Sequence, residues 1–228
     1  MHSRIGWWTE QSIEWFIRAS RSCDYHEKLA DRIAELLPSC RSIIEFGCGL
    51  GYEAECLAAK GYLVRAFDSN PDVIRLAAER TGLDIFRCSD ADQVNDHADA
   101  LVCINYGHIG TRDQLESLLS HADVRLVYAL SRHNGHGTDT REDRTSMVRR
   151  LIVESGLPFA ETSVSLDFDQ PLRSMEEARS FIEFTYLGKN ADRYLEFVES
   201  TADGEYPFKF RNRKELTVFS VEKRRRKV

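Results

Sequence analysis

Short apolar runs that alternate with helical segments constrain this chain more than any other feature of its sequence. From Arg41 onward, five runs rich in Ile, Val, Leu and Phe are typical of buried parallel strands: 42–46, 63–67, 83–86, 100–104 and 124–130. Helical segments lie between them, and the clearest begins after Asn70, with Pro71 in its first turn, and ends at Gly82. Because right-handed crossovers place helices on both faces of a parallel sheet, this alternation predicts a doubly wound α/β fold.

Two further helices are predicted ahead of this core. The first begins after Thr9, a favourable N-cap residue, and the second runs from about Tyr25 to Leu37 and ends at Pro38. We find no internal repeat and no low-complexity linker, so the sequence predicts a single domain over residues 1–228. That domain has a helical cap, a core and a C-terminal region: 1–38, 41–155 and 156–228.

The pattern changes after Gly156. It predicts a strand, two helices and a last strand: 159–168, 174–186, 191–199 and 216–221. The two strands extend the core to a seven-stranded, mostly parallel sheet. The helical pair is then an insertion, at about 174–200, before the last strand.

The charge of the chain argues against nucleic acid as its main partner. The 31 Lys and Arg residues against 37 Asp and Glu residues give a net charge of −6. The last eight residues hold five basic residues and one acidic residue, so the other 220 residues carry −10. Such a body repels phosphate backbones and suits a cationic small ligand better.

Cysteine usage and hydropathy predict a cytoplasmic protein. None of the six cysteines forms a C-x-x-C pair, and several lie in apolar runs where a free thiol behaves as a small hydrophobic group. The chain has no apolar run of about 20 residues, so we expect no membrane contact. His133 and His136 have no cysteine or acidic partner at ligand spacing, so we expect no metal site.

The most informative segment is a glycine-rich turn at the end of the first core strand. Its sequence is Glu45-Phe46-Gly47-Cys48-Gly49-Leu50-Gly51. Three alternate glycines allow a sharp turn and let a nucleotide-type ligand approach the backbone. An NAD-binding fingerprint requires its third glycine one place later, where Tyr52 stands, and the chain contains no P-loop motif.

This turn resembles motif I of the class I S-adenosylmethionine-dependent methyltransferases, with Glu45 in place of the commoner aspartate. Asp68 ends the second strand, where the family's acidic residue binds both ribose hydroxyls. Asp90, in Ser89-Asp90-Ala91, resembles the family's residue on the adenine side. The resemblance covers roughly residues 25–131. It implies a Rossmann-like methyltransferase fold with S-adenosylmethionine as cofactor and S-adenosylhomocysteine as product.

The resemblance makes residues 41–155 the cofactor-binding core and 156–228 the substrate side. The cofactor-binding residues that it implies are Tyr25, Glu45, Gly47, Cys48, Gly49, Leu50, Gly51, Asp68, Ser69, Asn70, Asp90, Ala91 and Asn105. Tyr25 enters because the family's leading helices often cover the cofactor, although core packing explains this aromatic residue equally well. Carboxylates around the turn complement a ligand that carries a sulfonium and an ammonium.

Candidate catalytic residues follow the fourth strand. His108 has a side chain whose ordinary pKa, near ~6.5, suits a general base, although a solvated loop histidine is the alternative. Tyr106 lies beside it, at the rim where the family presents the methyl group. The substrate-binding residues that we predict are Arg132, His133, Tyr186 and Tyr206.

These observations together predict methyl transfer to an O or N atom of a small, partly apolar metabolite. Two alternatives stay open: a non-catalytic regulatory protein that binds S-adenosylmethionine, and a protein methyltransferase. RNA is disfavoured by the charge of the body and by Asn105-Tyr106-Gly107-His108, which lacks the prolines of the family's motif for base amines. The oligomeric state is left open, with a homodimer as one option.

Overall fold

The computed structural model describes residues 7–107, 109–131, 144–186 and 191–223. These residues divide into two compact units. The sheet unit contains the described residues of 26–131, 144–164 and 216–223, and the small unit contains those of 7–25 and 165–215. The single-domain organisation stays a prediction.

A seven-stranded sheet forms the centre of the sheet unit. Its strands are β1 (Ser42–Phe46), β2 (Leu63–Asp68), β3 (Phe86–Cys88), β4 (Ala98–Ile104), β5 (Ala122–Ser131), β6 (Phe159–Asp167) and β10 (Arg213–Glu222). Its helices are α2 (Tyr25–Glu35), α3 (Tyr52–Ala59), α4 (Pro71–Thr81), α5 (Arg112–Ser120) and α6 (Arg144–Ser155). A short 3₁₀ helix, Ala91–Gln93, follows β3.

The strand order is β3-β2-β1-β4-β5-β10-β6. Strands β1 to β5 pair in parallel, and β10 runs antiparallel to β5, with Leu216 opposite Ser131 and Glu222 opposite Arg125. This arrangement confirms the doubly wound, mostly parallel sheet. Because the order reverses between β1 and β4, their carboxyl ends flank the crevice in which open α/β sheets bind ligands.

Local sequence signals explain why the helices begin and end where they do. The Asn70 side chain accepts from the backbone N–H of Asp72 at 2.9 Å, and Pro71 opens α4. Gly82 ends the helix with φ of +69°, a conformation that glycine adopts without steric cost. The predicted bounds of this helix are therefore confirmed.

The small unit contains helices and a second sheet. The sequence did not predict this second sheet. It contains α1 (Glu10–Arg21), α7 (Met175–Thr185), α8 (Ala191–Tyr194), a 3₁₀ helix (Leu195–Phe197), β7 (Gln170–Leu172), β8 (Val198–Ser200) and β9 (Phe208–Phe210). The three strands form an antiparallel sheet in the order β7-β9-β8. An aromatic and aliphatic core joins α1, α7 and this sheet through Trp15, Leu172, Phe181, Ile182 and Phe210.

Two predicted elements are wrong in their extent. The second inserted helix, predicted over 191–199, is α-helical to Tyr194 and continues as the 3₁₀ helix Leu195–Phe197, and it stops there because Val198 pairs with Phe210 and starts a strand. The third core strand, predicted over 83–86, runs from Phe86 to Cys88 instead, since Ala66 of β2 pairs with Phe86 and fixes the register. Backbone pairing thus outweighs local periodicity at both places.

Within the part of the chain that the structure describes, no helix has the length and apolar character needed to cross a membrane.

Candidate functional site

The turn between β1 and α3 depends on left-handed backbone conformations. Gly47, Gly49 and Gly51 have φ angles of +71°, +53° and +73°. Residues with a Cβ adopt such angles at a cost of roughly 1–2 kcal/mol each. The backbone N–H groups of Gly47 and Cys48 donate to the carbonyl of Phe67, at 2.8 and 3.1 Å. The glycine loop, residues 47–51, is therefore fastened to the neighbouring strand β2.

Close packing at two of these positions also excludes a side chain. A Cβ on Gly47 would lie 2.8 Å from Cδ2 of Tyr106, in the loop after β4. A Cβ on Gly51 would lie 2.3 Å from Cε1 of Phe86 and 3.2 Å from Cβ of Ala77. The glycine loop thus lies close against β3, against α4 and against the loop that follows β4.

The Asp68 carboxylate organises the carboxyl edge of the sheet. Its Oδ2 accepts from the backbone N–H of Gly49 at 3.0 Å, and its Oδ1 accepts from the backbone N–H of Asn70 at 2.9 Å. The N–H of Ser89 donates to the Asp68 carbonyl at 3.1 Å. Each carboxylate oxygen keeps a second lone pair, so this side chain can order the loop and still accept from a ligand hydroxyl.

Glu45 is an ionisable residue inside the sheet. It lies on β1 between Ala66 of β2 and Val102 of β4, and only 2% of its surface is exposed. Its Oε2 has no hydrogen-bond partner among the described residues. Burial raises the pKa of Glu45 well above its ordinary value, and the negative charges of Glu53 and Asp68 raise it further.

A second carboxyl, largely buried with 12% of its side chain exposed, lies just beyond the glycine loop, and the sequence reasoning missed it. Glu53 Oε1 lies 2.7 Å from Nδ1 of His26 on α2. Burial disfavours its charged form, but the charge and hydrogen bond of His26 outweigh this effect and hold the pKa of Glu53 below its ordinary value. The two carboxyls therefore differ in environment, since Glu53 has a basic partner and Glu45 does not share it.

Stacked side chains connect the His26–Glu53 pair to the glycine loop. The His26 ring stacks on Tyr52 with centroids 4.6 Å apart, and the guanidinium of Arg80 lies 3.7 Å from the Tyr52 centroid. Arg80 also donates to the carbonyl of Leu50 at 3.1 Å and pairs with Glu55. No motif signals this network, because its members come from α2, α3 and α4 and meet only in the folded chain.

The segment predicted to lie on the adenine side follows β3. Asp90 is exposed, immediately precedes the 3₁₀ helix, and makes no side-chain capping bond to it. Ala91 packs against the core of the sheet unit. Ser69, after β2, is exposed, and Leu50 is buried. The roles of these residues toward a ligand stay predictions.

The loop after β4 is held in an unusual conformation. Asn105 has φ of +51°, and its side-chain oxygen accepts from the backbone N–H of Ser131 at 2.9 Å. Its own N–H donates to the carbonyl of Ala129 at 2.8 Å. Asparagine tolerates this region better than most residues with a Cβ. Asn105 therefore joins the ends of β4 and β5, which a motif comparison alone does not show.

Tyr106 follows directly and faces the glycine loop. Its carbonyl accepts from the hydroxyl of Tyr128 at 2.7 Å, which fixes the backbone at this point. Burial raises the pKa of the Tyr106 phenol, and the negative charges of nearby acidic groups act in the same direction. At neutral pH its hydroxyl is therefore protonated, so it is suited to donate a hydrogen bond rather than to act as a base.

Three of the predicted site residues, His108, Arg132 and His133, lie outside the described residues, as does His136. The catalytic role of His108 and the substrate-binding roles of Arg132 and His133 therefore stay predictions.

The other predicted residues belong to the small unit. Tyr25 is buried with its ring 4.8 Å from Phe168. Tyr186 stacks on Tyr194, with centroids 3.9 Å apart. Tyr206 lies beneath two guanidinium groups, at 4.8 Å from that of Arg18 and 5.7 Å from that of Arg173. Each ring thus has a packing role inside its own unit, and the ligand contacts predicted for Tyr25, Tyr186 and Tyr206 stay predictions.

Comparison with known proteins identifies the fold. No protein-family model matches the sequence, and no curated protein matches it significantly. Solved structures do match. Magnesium protoporphyrin IX methyltransferase from Synechocystis PCC 6803, crystallised with SAH, is 14% identical with a TM-score of 0.53, over 87% of this chain and 83% of that one.

Two further structures show the same architecture. The YcgJ protein from Bacillus subtilis is 15% identical with a TM-score of 0.56, over 89% of this chain and 99% of that one. Precorrin 8w decarboxylase from Methanobacterium thermoautotrophicum is 13% identical with a TM-score of 0.52, over 85% of this chain and 89% of that one. The Rossmann-like methyltransferase fold implied by the glycine loop is therefore confirmed, and at these identities the likeness establishes the fold alone.

Proposed function

We propose that this protein transfers a methyl group from S-adenosylmethionine to an O or N atom of a small, partly apolar metabolite. One observation carries the proposal. The carboxyl edge of β1 and β2 combines a left-handed glycine loop, an Asp68 carboxylate that accepts from Gly49, and a buried Glu45 whose Oε2 has no partner among the described residues. Buried polar groups are normally hydrogen-bonded, so an acidic group without a partner beside this turn is not explained by a structural role alone.

The charges at this edge fit the proposed ligand. S-adenosylmethionine carries a sulfonium, an ammonium and one carboxylate, so its net charge is positive. Glu45 and the glycine loop would hold the methionine end, Asp68 the ribose and Asp90 the adenine. The negative charges of Asp68 and Asp90 disfavour a pyrophosphate, which supports this ligand over a dinucleotide. A solved structure with the same fold contains SAH.

The residues of the chain have a limited task in this chemistry. The bound cofactor supplies a methyl carbon that its sulfonium already activates for in-line displacement. The glycine loop and Asp68 hold the ligand's orientation, and the rings of Phe46, which is buried, and Tyr106, which is partly buried, exclude water from their side of the loop. Alignment of the acceptor atom with the methyl carbon then accounts for most of the rate acceleration. A base is needed only where the acceptor carries a proton of high pKa.

Ligand binding is the first test. We expect isothermal titration calorimetry to show binding of S-adenosylmethionine and S-adenosylhomocysteine with Kd values in the micromolar range. NAD⁺ is the matched control, since it carries the same adenosine with a pyrophosphate, and we expect no heat from it. The absence of heat and of a thermal shift with both sulfur ligands would contradict the proposed function.

Methyl transfer is the second test. The protein is incubated with S-adenosylmethionine carrying an isotope-labelled methyl group and, in separate reactions, with a small-metabolite extract, total RNA and a protein extract. We expect label in the small-metabolite fraction alone. Label in protein or RNA would overturn the acceptor class, and binding without transfer to any fraction would favour the regulatory alternative.

Tyr106 offers a graded test of the glycine loop. In Tyr106→Phe the ring that covers Gly47 is kept, so we expect the Kd for S-adenosylhomocysteine to change by less than about threefold, because only the hydroxyl is removed. In Tyr106→Ala the ring is lost, and we expect weakening by about tenfold because the loop loses its packing partner. Equal affinities of the two variants would show that the ring does not support the loop.

A further inference from the structure

The buried position of Glu45 in the fold makes the ionised form of its carboxyl unfavourable. Glu45 lies on β1, with β2 and β4 on either side, and is 2% exposed, and its Oε2 has no hydrogen-bond partner among the described residues. An ionised carboxylate in such a place is costly unless a cation or several donors compensate it.

The groups that act on Glu45 offer no such compensation. Glu53 from α3 and Asp68 from β2 are both negative. Cys48 of the glycine loop and Cys103 of β4 feel the charge of Glu45, and burial raises the pKa of both thiols, so they are neutral. Two basic side chains of the sheet unit contact other carboxylates, since His26 contacts Glu53 at 2.7 Å and Arg80 pairs with Glu55.

We propose that Glu45 holds a proton in the ligand-free protein and releases it to solvent when the ammonium group of the methyl donor binds. The inference rests on the proposed function and adds a regulation of the same site. No covalent bond other than O–H is broken. The Glu45 carboxylic acid and the ammonium become a carboxylate and ammonium ion pair, and one proton leaves for the buffer.

The different environments of Glu45 and Glu53 support this inference. Glu53 is ionised through its contact with His26, so a second negative charge on Glu45 is unfavourable until a positive charge arrives. A ligand ammonium supplies that charge. Binding must then become tighter as pH rises toward the pKa of the ligand-free Glu45, because less work is needed to remove the proton.

Calorimetry in two buffers measures the released proton directly. Titrations with S-adenosylhomocysteine are run at the same pH in phosphate and in Tris, which differ widely in their enthalpy of protonation. We expect the observed enthalpies to differ by an amount equivalent to release of about one proton per site in the wild-type protein. For Glu45→Gln we expect binding with no dependence on the buffer.

Two controls isolate the groups involved. Glu79→Gln makes the same chemical change on an exposed residue of α4 that pairs with Arg75, and we expect it to behave as wild type. 5′-Methylthioadenosine lacks the amino-acid end of the cofactor, so we expect it to bind without proton release. Release of the same number of protons with this ligand would assign the proton to another group and overturn the inference.

The outcomes separate this inference from the proposed function. Heat of binding that is independent of the buffer overturns the proton release and leaves the proposed function standing. No heat with any of the ligands contradicts the proposed function and removes the coupling with it.

Thermal unfolding of the ligand-free protein tests the proton on Glu45 without any ligand. The pKa of Glu45 is higher in the folded protein than in the unfolded chain. The free energy of unfolding that this difference contributes is therefore present at low pH and is lost as pH rises through the pKa of the folded state. The Glu45→Gln variant does not lose this stability, because a glutamine side chain does not titrate. We therefore expect the Tm of wild type to fall relative to that of Glu45→Gln as pH is raised from the ordinary glutamate pKa into the neutral range. A constant difference over this range would overturn the inference.

Discussion

Replacing Gly51 with alanine should destabilise the protein by about 2–5 kcal/mol, which is a large part of the stability of an ordinary domain. Two effects add. The residue has φ of +73°, which is unfavourable for any side chain, and the new Cβ would lie 2.3 Å from the Phe86 ring. Phe86 is buried, so its ring has little room to move away from the new Cβ. Urea unfolding followed by circular dichroism measures the change.

Gly82→Ala is the matched control for this experiment. Gly82 has nearly the same backbone angle, +69°, but a Cβ there would meet no atom within 4 Å. Its substitution carries only the backbone penalty, so we expect a loss of about 1–2 kcal/mol. If both variants lose the same amount of stability, the contact with Phe86 has no part in the requirement for glycine at position 51.

Asp68→Ala should weaken the binding of S-adenosylmethionine and S-adenosylhomocysteine by roughly 1.5–3 kcal/mol, or about 10- to 150-fold. The variant loses the proposed hydrogen bonds to the ribose. It also loses the two that Asp68 accepts from the backbone at Gly49 and Asn70, so the glycine loop loses an anchor. Calorimetry with either ligand measures the effect.

Two companion variants separate charge from position. Asp72→Ala removes a carboxylate from the first turn of the neighbouring helix, where it is highly exposed, and we expect little change in affinity. Asp68→Asn keeps an acceptor oxygen for one backbone donor and should bind with intermediate affinity. Wild-type affinity in Asp68→Ala would show that the ribose assignment is wrong.

The parts of the fold that were predictable are those that short sequence signals specify. Asn70, Pro71 and Gly82 delimit α4 because capping and backbone preferences are local properties. The apolar runs give the parallel strands for the same reason, and the three glycines mark the loop that needs left-handed angles. Each signal acts within a few residues, so the sequence reveals it without knowledge of the rest of the molecule.

What was missed depends on contacts between distant segments. Strands β7, β8 and β9 have three residues each, too few to show alternation, and their pairing partners decide their structure. The contact between His26 and Glu53 joins two helices, and nothing in either segment signals it. The hydrogen bond from Ser131 to the side-chain oxygen of Asn105 also joins two distant segments, and the ligand contact expected of Asn105 stays a prediction.

The position of β10 in the sheet has a kinetic consequence. This strand lies between β5 and β6, and it pairs with β5 from Leu216 to Glu222, although a long stretch of chain separates the two. Such non-local pairing is slow, because a large loop must close before any contact compensates the lost entropy. Until then the edge of β5 offers unpaired backbone groups to other chains. Protection of the β5 amides from hydrogen exchange during refolding would therefore show when β10 pairs with β5.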